Sequence, residues 1–118
     1  MALTIYHNPR CSKSRKTLEL IQEAGIVPSI VPYLEQTPSA AEILGIAQQL
    51  GVPVADLLRR GESTFKAADD LPDLADDVAL AGWLESHPIV IERPIVVDEA
   101  SGKAVIGRPP ENVNALLT

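Results

Sequence analysis

A short apolar run, a tight turn and the only cysteine of the chain follow one another within residues 3–15. Residues 3–6 (LTIY) predict a buried strand. The pair Asn8-Pro9 predicts a turn, because proline fixes its own φ and disfavours the α region for the residue before it. A helical pattern follows and stops at Gly25. Its apolar face consists of Leu18, Leu20, Ile21 and Ala24. Cys11 is therefore predicted to lie at the start of a helix, directly after a strand-to-helix turn.

A cysteine at a helix start is a candidate nucleophile, because unpaired N–H groups and the positive end of the helix dipole favour the thiolate. At an unperturbed pKa of ~8.5, roughly 3% of a thiol is ionised at pH 7, whereas a pKa near ~6.5 ionises roughly three quarters. We expect Ser14 to add a hydroxyl hydrogen bond to the sulfur, or else to serve only as an N-terminal cap. An inert core cysteine is the alternative, but Cys11 lies outside the apolar stripe. Its neighbours include Arg10, Lys13 and Arg15.

Length, charge and cysteine count limit the function classes. The 118 residues predict one domain spanning residues 1–118. A net charge of −6 argues against a nucleic-acid partner, which normally requires a basic face. One cysteine excludes an intramolecular disulfide. With no signal-peptide pattern and no apolar run of membrane-spanning length, we expect a cytoplasmic protein with no membrane partner. No Cys/His spacing suits a zinc site, so no metal is expected.

The rest of the chain predicts alternating strands and helices. Residues 27–34 predict an edge strand, since Pro28 and Pro32 remove ladder donors. Helices are predicted from a capping box at Ser39 and Glu42 to Gly51, over 54–60, around 65–68 and over 73–86. Residues 95–98 and 104–107 predict a hairpin, and a last helix follows residue 108. The fold class is therefore α/β, a mixed sheet flanked by helices with a helical insertion between the second and third strands.

Four motifs in this order resemble a known family. A strand leading to Cys-x-x-Ser at a helix start, with a proline immediately before the third strand, resembles the thioredoxin fold. Within that fold, the chain resembles the glutaredoxin-linked arsenate reductases. The motifs are YHNPxC (6–11), LLR (57–59), HPIxIxRPIVV (87–97) and GRPxE (107–111).

The resemblance implies roles for individual residues. It makes Cys11 the nucleophile and implies that His7 helps to lower the pKa of the thiol, although His7 could instead satisfy backbone groups of the turn. It also implies a cis peptide bond between Arg93 and Pro94. The implied oxyanion ligands are Arg59, Arg93 and Arg108.

Three arginines suit the implied substrate. Arsenate near neutral pH is mostly doubly negative, so a thiolate can approach it only where positive charge is concentrated, and guanidinium groups present forked donors to tetrahedral oxyanions. Each arginine has a plainer interpretation. Arg59 and its neighbour Arg60 could be cations at a helix end, with Arg59 the preferred ligand. Arg108 could pair with Glu111, whereas Arg93 lies between apolar runs.

The family's reaction cycle requires no bound cofactor. Cys11 attacks arsenate with loss of water, glutathione attacks the adduct, and glutaredoxin resolves the mixed disulfide. An enzyme that resolved its own intermediate would need a second cysteine, which this chain lacks. The other chemical route to arsenate reduction resembles low-molecular-weight tyrosine phosphatases with Cys-x5-Arg. It is rejected because Thr17 stands at the arginine position.

Two further functions are left open. The sequence Cys-Ser-Lys-Ser-Arg departs at Ser12 and Lys13 from the Cys-Gly-Thr-Ser-Arg pattern of the best-known arsenate reductases. The chain could therefore be a glutathione-linked thiol oxidoreductase of the same family with little arsenate activity. The second of these functions is that of a non-enzymatic regulator that binds RNA polymerase. Related regulators carry a Cys-x-x-Cys redox switch, which cannot form here because Ser14 replaces the second cysteine.

Overall fold

The structure is a computed structural model that describes residues 2–117. A four-stranded sheet is built from β1 (Leu3–His7), β2 (Ser29–Pro32), β3 (Ile95–Asp98) and β4 (Lys103–Ile106). In space the order is β2-β1-β3-β4. β1 pairs in parallel with β2, and the pairs β1/β3 and β3/β4 are antiparallel. The predicted mixed sheet is confirmed, and β2 is an edge strand as its two prolines indicated.

The sheet belongs to a unit made of Met1–Gln36 and Arg93–Thr118. Its helices are α1 (Ser12–Glu23) and α5 (Asn114–Leu117), the latter preceded by a 3-10 turn over Pro110–Val113. Buried and partly exposed side chains alternate along β1, because successive side chains of a strand point to opposite faces. The buried members of the core are Leu3, Ile5, Ile21, Val96, Val113 and Leu116. This packing fixes the carboxyl end of β1 against the start of α1, where Cys11 lies.

The helical insertion between β2 and β3 is the second unit, Thr37–Glu92. It contains α2 (Ala40–Leu50), a 3-10 turn (Val54–Leu57), α3 (Ser63–Lys66), α4 (Asp77–Ser86) and a second 3-10 turn (Pro88–Val90). The predicted capping box is present, since the Ser39 hydroxyl accepts the Glu42 N–H and the Glu42 carboxylate accepts the Ser39 N–H. Gly51 ends α2 in the left-handed region, which favours glycine. The insertion that the sequence predicted is confirmed.

The prediction of one helix over residues 54–60 is wrong beyond Leu57. Leu58 is extended and forms an antiparallel bridge with Ile91. The flanking hydrogen bonds run from Arg59 N–H to the Val90 carbonyl and from Glu92 N–H to the Leu57 carbonyl. Arg59 is therefore held by a short two-stranded pairing rather than by the last turn of a helix.

Two proline bonds near the sheet are cis. The Arg93–Pro94 bond is cis, as the family resemblance implied, and the Arg108–Pro109 bond is cis as well. Gly107 donates its N–H to the Pro94 carbonyl at 2.9 Å, which joins the two segments. Within residues 2–117, no helix has the length and apolar character needed to cross a membrane.

Candidate active site

Cys11 is the N-cap residue of α1, in extended conformation with φ −92° and ψ 121°. Its thiol is half-buried, and its N–H donates to the Asn8 carbonyl at 3.0 Å. On the exposed side of this loop, the Arg15 guanidinium donates a hydrogen bond to the Pro9 carbonyl at 2.9 Å. The predicted position of the thiol at a strand-to-helix turn is confirmed.

The pKa of the Cys11 thiol is lowered from its ordinary value. Burial raises the pKa, but N–H groups at the start of α1 and the Arg93 guanidinium outweigh it. The N–H groups are those of Ser14 and Lys13, and Arg93 acts both as a hydrogen-bond donor and as a positive charge. The side chain of Cys11 makes no capping hydrogen bond. The backbone N–H groups therefore favour the thiolate as dipoles directed at the sulfur.

Two arginines from distant parts of the chain meet the thiol. Arg93 is 9% exposed and lies close enough to donate to the sulfur. Arg108 places Nη1 3.9 Å from Cys11 Sγ, and the same nitrogen donates to the Arg93 carbonyl at 3.2 Å. Because 3.9 Å is long even for a contact with sulfur, Arg93 is the guanidinium that lowers the thiol pKa. Arg108 supplies a second set of donors beside the sulfur.

Gly107 shows how closely the Arg108 segment approaches α1. A Cβ atom at Gly107 would lie 2.6 Å from Thr17 Oγ1 and 2.8 Å from Pro94 Cγ. Glycine is needed here for space, because any side chain would push the segment away from α1 and Pro94. Arg108 follows directly, so its position beside Cys11 depends on this contact.

His7 and Ser14 form a buried pair beneath the thiol loop. His7 Nδ1 lies 2.6 Å from Ser14 Oγ, which also accepts the Asn8 N–H at 3.1 Å. Ser14 is fully buried, and burial followed by the positive charge of Arg15 lowers the pKa of His7. The expected hydroxyl hydrogen bond from Ser14 to the sulfur is wrong, since the hydroxyl binds His7 and Asn8. His7 contacts Ser14, whose N–H faces the sulfur. The role of His7 in lowering the pKa of the thiol stays a prediction.

Tyr33 is a site residue that sequence reasoning missed. It directly follows β2 and is 1% exposed. Burial raises the pKa of Tyr33, against the opposing effects of the Arg93 charge and of the Asn8 side chain, while the charge of Cys11 raises it further. The available signal was an aromatic residue with a polar tip at the end of a strand, in a chain with 3% aromatic content.

Arg59 belongs to the helical unit. Its Nε lies 3.2 Å from Glu62 Oε1, and its Nη1 lies 3.4 Å from Glu92 Oε1. The guanidinium is therefore engaged by two carboxylates. Arg60 is the exposed neighbour and has no ion pair among the described residues. The role of Arg59 as an oxyanion ligand stays a prediction.

Open space borders the loop that leads to Cys11. A cavity of about 270 Å³ is lined by residues 7–10 and by Pro32, Leu34 and Glu35. Arg10 and Glu35 give it one cationic and one anionic side chain. In the part of the chain that the structure describes, no group of three or more His, Cys, Asp or Glu side chains is arranged to hold a metal ion.

Comparison with known proteins supports the family resemblance of the sequence motifs. The model of the ArsC family matches residues 6–116. The chain is 43% identical to an arsenate reductase of Neisseria meningitidis over 117 residues, covering 98% of this chain and 97% of the relative. It is 46% identical over 110 residues to the uncharacterized protein YfgD of Escherichia coli K12, covering 92% and 91%. The solved structure of an arsenate reductase from Vibrio cholerae superposes with a TM-score of 0.85 at 43% identity, covering 98% and 97%.

These matches extend over nearly the whole chain and include the strand, turn and thiol with which it begins. The thioredoxin-like fold predicted from the motifs is confirmed by the solved structure of the same topology. The chain belongs to the ArsC family.

Proposed function

We propose that this protein is an arsenate reductase that uses the Cys11 thiolate as its nucleophile and glutathione and glutaredoxin as reductants. The observation that carries the proposal is the Cys11 sulfur beside two guanidinium groups, with its pKa lowered by Arg93 and the first turn of α1. The arsenate reductases among the relatives support the choice of oxyanion. Because the chain carries a net charge of −6, this local concentration of positive charge is stronger support for an anion-binding site.

The arginines would act on the oxyanion before and during attack. Guanidinium donors from Arg93 and Arg108 would hold the arsenate oxygens beside the sulfur, where they offset the repulsion between two anions. Arg59 would add a third guanidinium after exchanging its carboxylate partners for the substrate. The same donors would stabilise the charge that builds on the arsenate oxygens as the S–As bond forms.

The reaction balances with one cysteine from the protein. The Cys11 thiolate forms an S–As bond, and one arsenate oxygen leaves as water after taking up protons. A glutathione thiolate then attacks the Cys11 sulfur, and the electron pair of the S–As bond passes to arsenic, which is released as arsenite. Cys11 and glutathione are left joined in a disulfide, which a glutaredoxin thiol reduces by exchange. Since Cys11 is the only cysteine of the chain, an external thiol is required.

A coupled assay tests this proposal. NADPH consumption is followed with arsenate, glutathione, glutaredoxin and glutathione reductase, with Cys11→Ser as the control. We expect arsenate-dependent turnover that the Cys11→Ser variant lacks and that stops when either thiol component is left out. Zero turnover with the intact protein would contradict arsenate reduction, and turnover supported by thioredoxin alone would contradict the choice of reductants.

A second candidate function is glutathione-linked thiol oxidoreduction without arsenate activity. Ser12 and Lys13 favour it, because they replace the small residues that follow the thiol in the best-known arsenate reductases. The assay separates the two candidates when a mixed disulfide of glutathione replaces arsenate as the oxidant and glutaredoxin is left out, because glutaredoxin itself reduces such disulfides; Cys11→Ser is again the control. Turnover of the disulfide with none of arsenate would select this second function.

A further inference from the structure

Asn112 ties together the stretch of chain that carries Arg108. This Arg108 segment, residues 106–109, leads from β4 to the 3-10 turn over Pro110–Val113. The side-chain amide of Asn112 donates to the Ile106 carbonyl at 3.1 Å and to the Arg108 carbonyl at 3.2 Å. A carboxamide has two N–H donors, so it can bind both carbonyls at once. The two bonds join the beginning of the segment to the residue that bears the guanidinium.

The chain beyond Arg108 offers no backbone N–H for two residues. Pro109 and Pro110 follow directly, and proline has no N–H to donate. The N–H of Arg108 itself donates back to the Ile106 carbonyl at 2.9 Å, so the segment is a tight turn. Asn112 is the first residue after Arg108 whose side chain supplies N–H donors. Its amide therefore does for this turn what backbone donors cannot.

Asn112 is itself held in place by its own backbone. Its N–H donates to the Pro109 carbonyl at 3.0 Å, and the next residue, Val113, is fully buried in the core of the sheet unit. The Asn112 side chain is exposed, so burial of that side chain adds little to stability. The residue thus fixes the Arg108 segment relative to the core mainly through the two hydrogen bonds of its amide.

The far end of the Arg108 side chain needs this fixed origin. Its Nη1 donates to the Arg93 carbonyl at 3.2 Å and lies 3.9 Å from Cys11 Sγ. A long side chain reaches one point reproducibly only when its backbone has one position. Gly107 N–H, bound to the Pro94 carbonyl at 2.9 Å, holds the backbone on the amino-terminal side of Arg108. The Asn112 amide holds the carbonyl of Arg108 itself, on the other side.

We propose that Asn112 is a positioning residue, whose side-chain amide holds the Arg108 segment so that the guanidinium lies beside the Cys11 sulfur. Its effect on the charge at the sulfur follows from the printed contacts of the chain, and its effect on arsenate rests on the proposed function. Without the amide, two carbonyls exchange a protein donor for water and the segment gains freedom. The guanidinium then spends less of its time beside the sulfur.

Two alkylating reagents measure this charge without arsenate. Iodoacetamide is neutral and reports the thiolate, whereas iodoacetate is an anion and also reports attraction by nearby positive charge. Both rates are recorded against pH for the intact protein, Asn112→Ala, Arg108→Gln and the double variant. With one cysteine in the chain, the signal comes from a single site.

For Asn112→Ala we expect the ratio of the iodoacetate rate to the iodoacetamide rate to fall about twofold to fivefold. The iodoacetamide profile should barely move, because Arg93 and the first turn of α1 lower the pKa of the thiol. A general loss of stability would not change the ratio of two rates measured on folded protein. In the Arg108→Gln background, Asn112→Ala should have little further effect on the ratio, because the amide acts through the guanidinium.

Asn114→Ala is the matched control. Asn114 is an exposed asparagine at the start of α5, so the substitution removes the same amide from the neighbouring turn. It should leave the ratio as it is in the intact protein.

Two outcomes would overturn the proposal. One is an unchanged ratio in a folded Asn112→Ala variant. The other is a fall of the same size in the Arg108→Gln background, which would mean that the amide does not act through Arg108. If the intact protein shows no arsenate turnover, the proposed function fails, but the ratio still tests Asn112. If turnover is present, we expect KM for arsenate to rise about threefold to tenfold in Asn112→Ala, with a smaller change in kcat.

Discussion

The Arg108 guanidinium lies 3.9 Å from the Cys11 sulfur, although 97 positions separate the two residues in the chain. The same guanidinium nitrogen donates to the Arg93 carbonyl at 3.2 Å. Arg93 in turn acts on the sulfur as a hydrogen-bond donor and as a charge. The two arginines therefore lie in one small region but affect the thiol differently. Arg93 lowers its pKa, whereas Arg108 places a donor 3.9 Å from the sulfur.

Substitution of the two arginines should separate thiol activation from oxyanion binding. Arg93→Gln removes the charge that lowers the thiol pKa, so the rate of Cys11 alkylation at pH 7 should fall about tenfold. Arg108→Gln removes a donor at longer range, so the alkylation rate should change much less while KM for arsenate rises about tenfold. Alkylation profiles and steady-state kinetics on both variants provide the check.

Lys16→Gln serves as the control for a general change in charge, because Lys16 lies on α1 with its side chain in solvent. It should alter neither measurement. Equal alkylation profiles for Arg93→Gln and the intact protein would show that the first turn of α1 is sufficient to ionise the thiol.

His7 should make the folded state less stable in mild acid. Burial first, and then the charge of Arg15, lower the pKa of His7 in the folded protein. Below its ordinary pKa of ~6.5, the unfolded chain therefore binds a proton that the folded chain does not. The stabilisation is fully present above that pH and is lost as the pH falls towards the folded-state pKa, with a slope of at most about 1.4 kcal/mol per pH unit from this group.

Urea unfolding of the intact protein and of His7→Gln at a series of pH values from 7.5 to about 5 tests this. The difference in stability between the two should narrow as the pH falls. A constant difference would indicate that His7 titrates alike in both states. The variant also loses the bond to Ser14, so comparison across pH, rather than at one pH, carries the test.

Gly107→Ala should destabilise the protein and disturb the thiol site together. The added Cβ would lie 2.6 Å from Thr17 Oγ1 and 2.8 Å from Pro94 Cγ, so the segment that carries Arg108 must move away from α1. Overpacking of this kind costs about 1–3 kcal/mol. We expect a loss of that size in urea unfolding and a rise in KM for arsenate.

Gly45→Ala is the matched control, since Gly45 lies within α2 and a Cβ there meets nothing within 4 Å. Alanine in a helix interior should stabilise the protein by about 0.5–1 kcal/mol. The double variant Gly107→Ala/Thr17→Ala should recover part of the lost stability, because the nearest clash is with Thr17. No recovery would place the strain at Pro94 instead.

Local sequence patterns predicted the elements that carry the site. The turn at Asn8-Pro9, the helix after Cys11 and the cap at Ser39 all depend on residues close in sequence, and the structure has each of them. The hydrophobic periodicity also separated strand from helix over most of the chain. Thiol placement followed from these local rules.

Contacts between distant segments were the part that local patterns missed. Leu58 was predicted to be helical, but its pairing with Ile91 sets its conformation, and the helical spacing of nearby residues does not reveal that partner. The Ser14 hydroxyl was expected at the sulfur, yet β1 brings His7 beneath the loop and the ring takes that hydroxyl. Tyr33 was missed because its neighbours depend on the register of β2 against β1.

The carboxylates around Arg59 should weaken substrate binding. Glu62 and Glu92 lie 3.2 and 3.4 Å from the guanidinium, and an oxyanion that binds Arg59 must compete with both. Glu62→Gln removes one charge and keeps the size of the side chain, so KM for arsenate should fall by about twofold to fivefold with little change in kcat. Glu19→Gln, which breaks the exposed pair with Lys16, is the control and should leave KM unchanged.

Arg59→Ala should raise KM and abolish the effect of Glu62→Gln, because the competition requires the guanidinium. If Arg59→Ala lowers the thermal midpoint and leaves KM as it was, the ion pairs of Arg59 serve the fold of the helical unit and the oxyanion is held by Arg93 and Arg108.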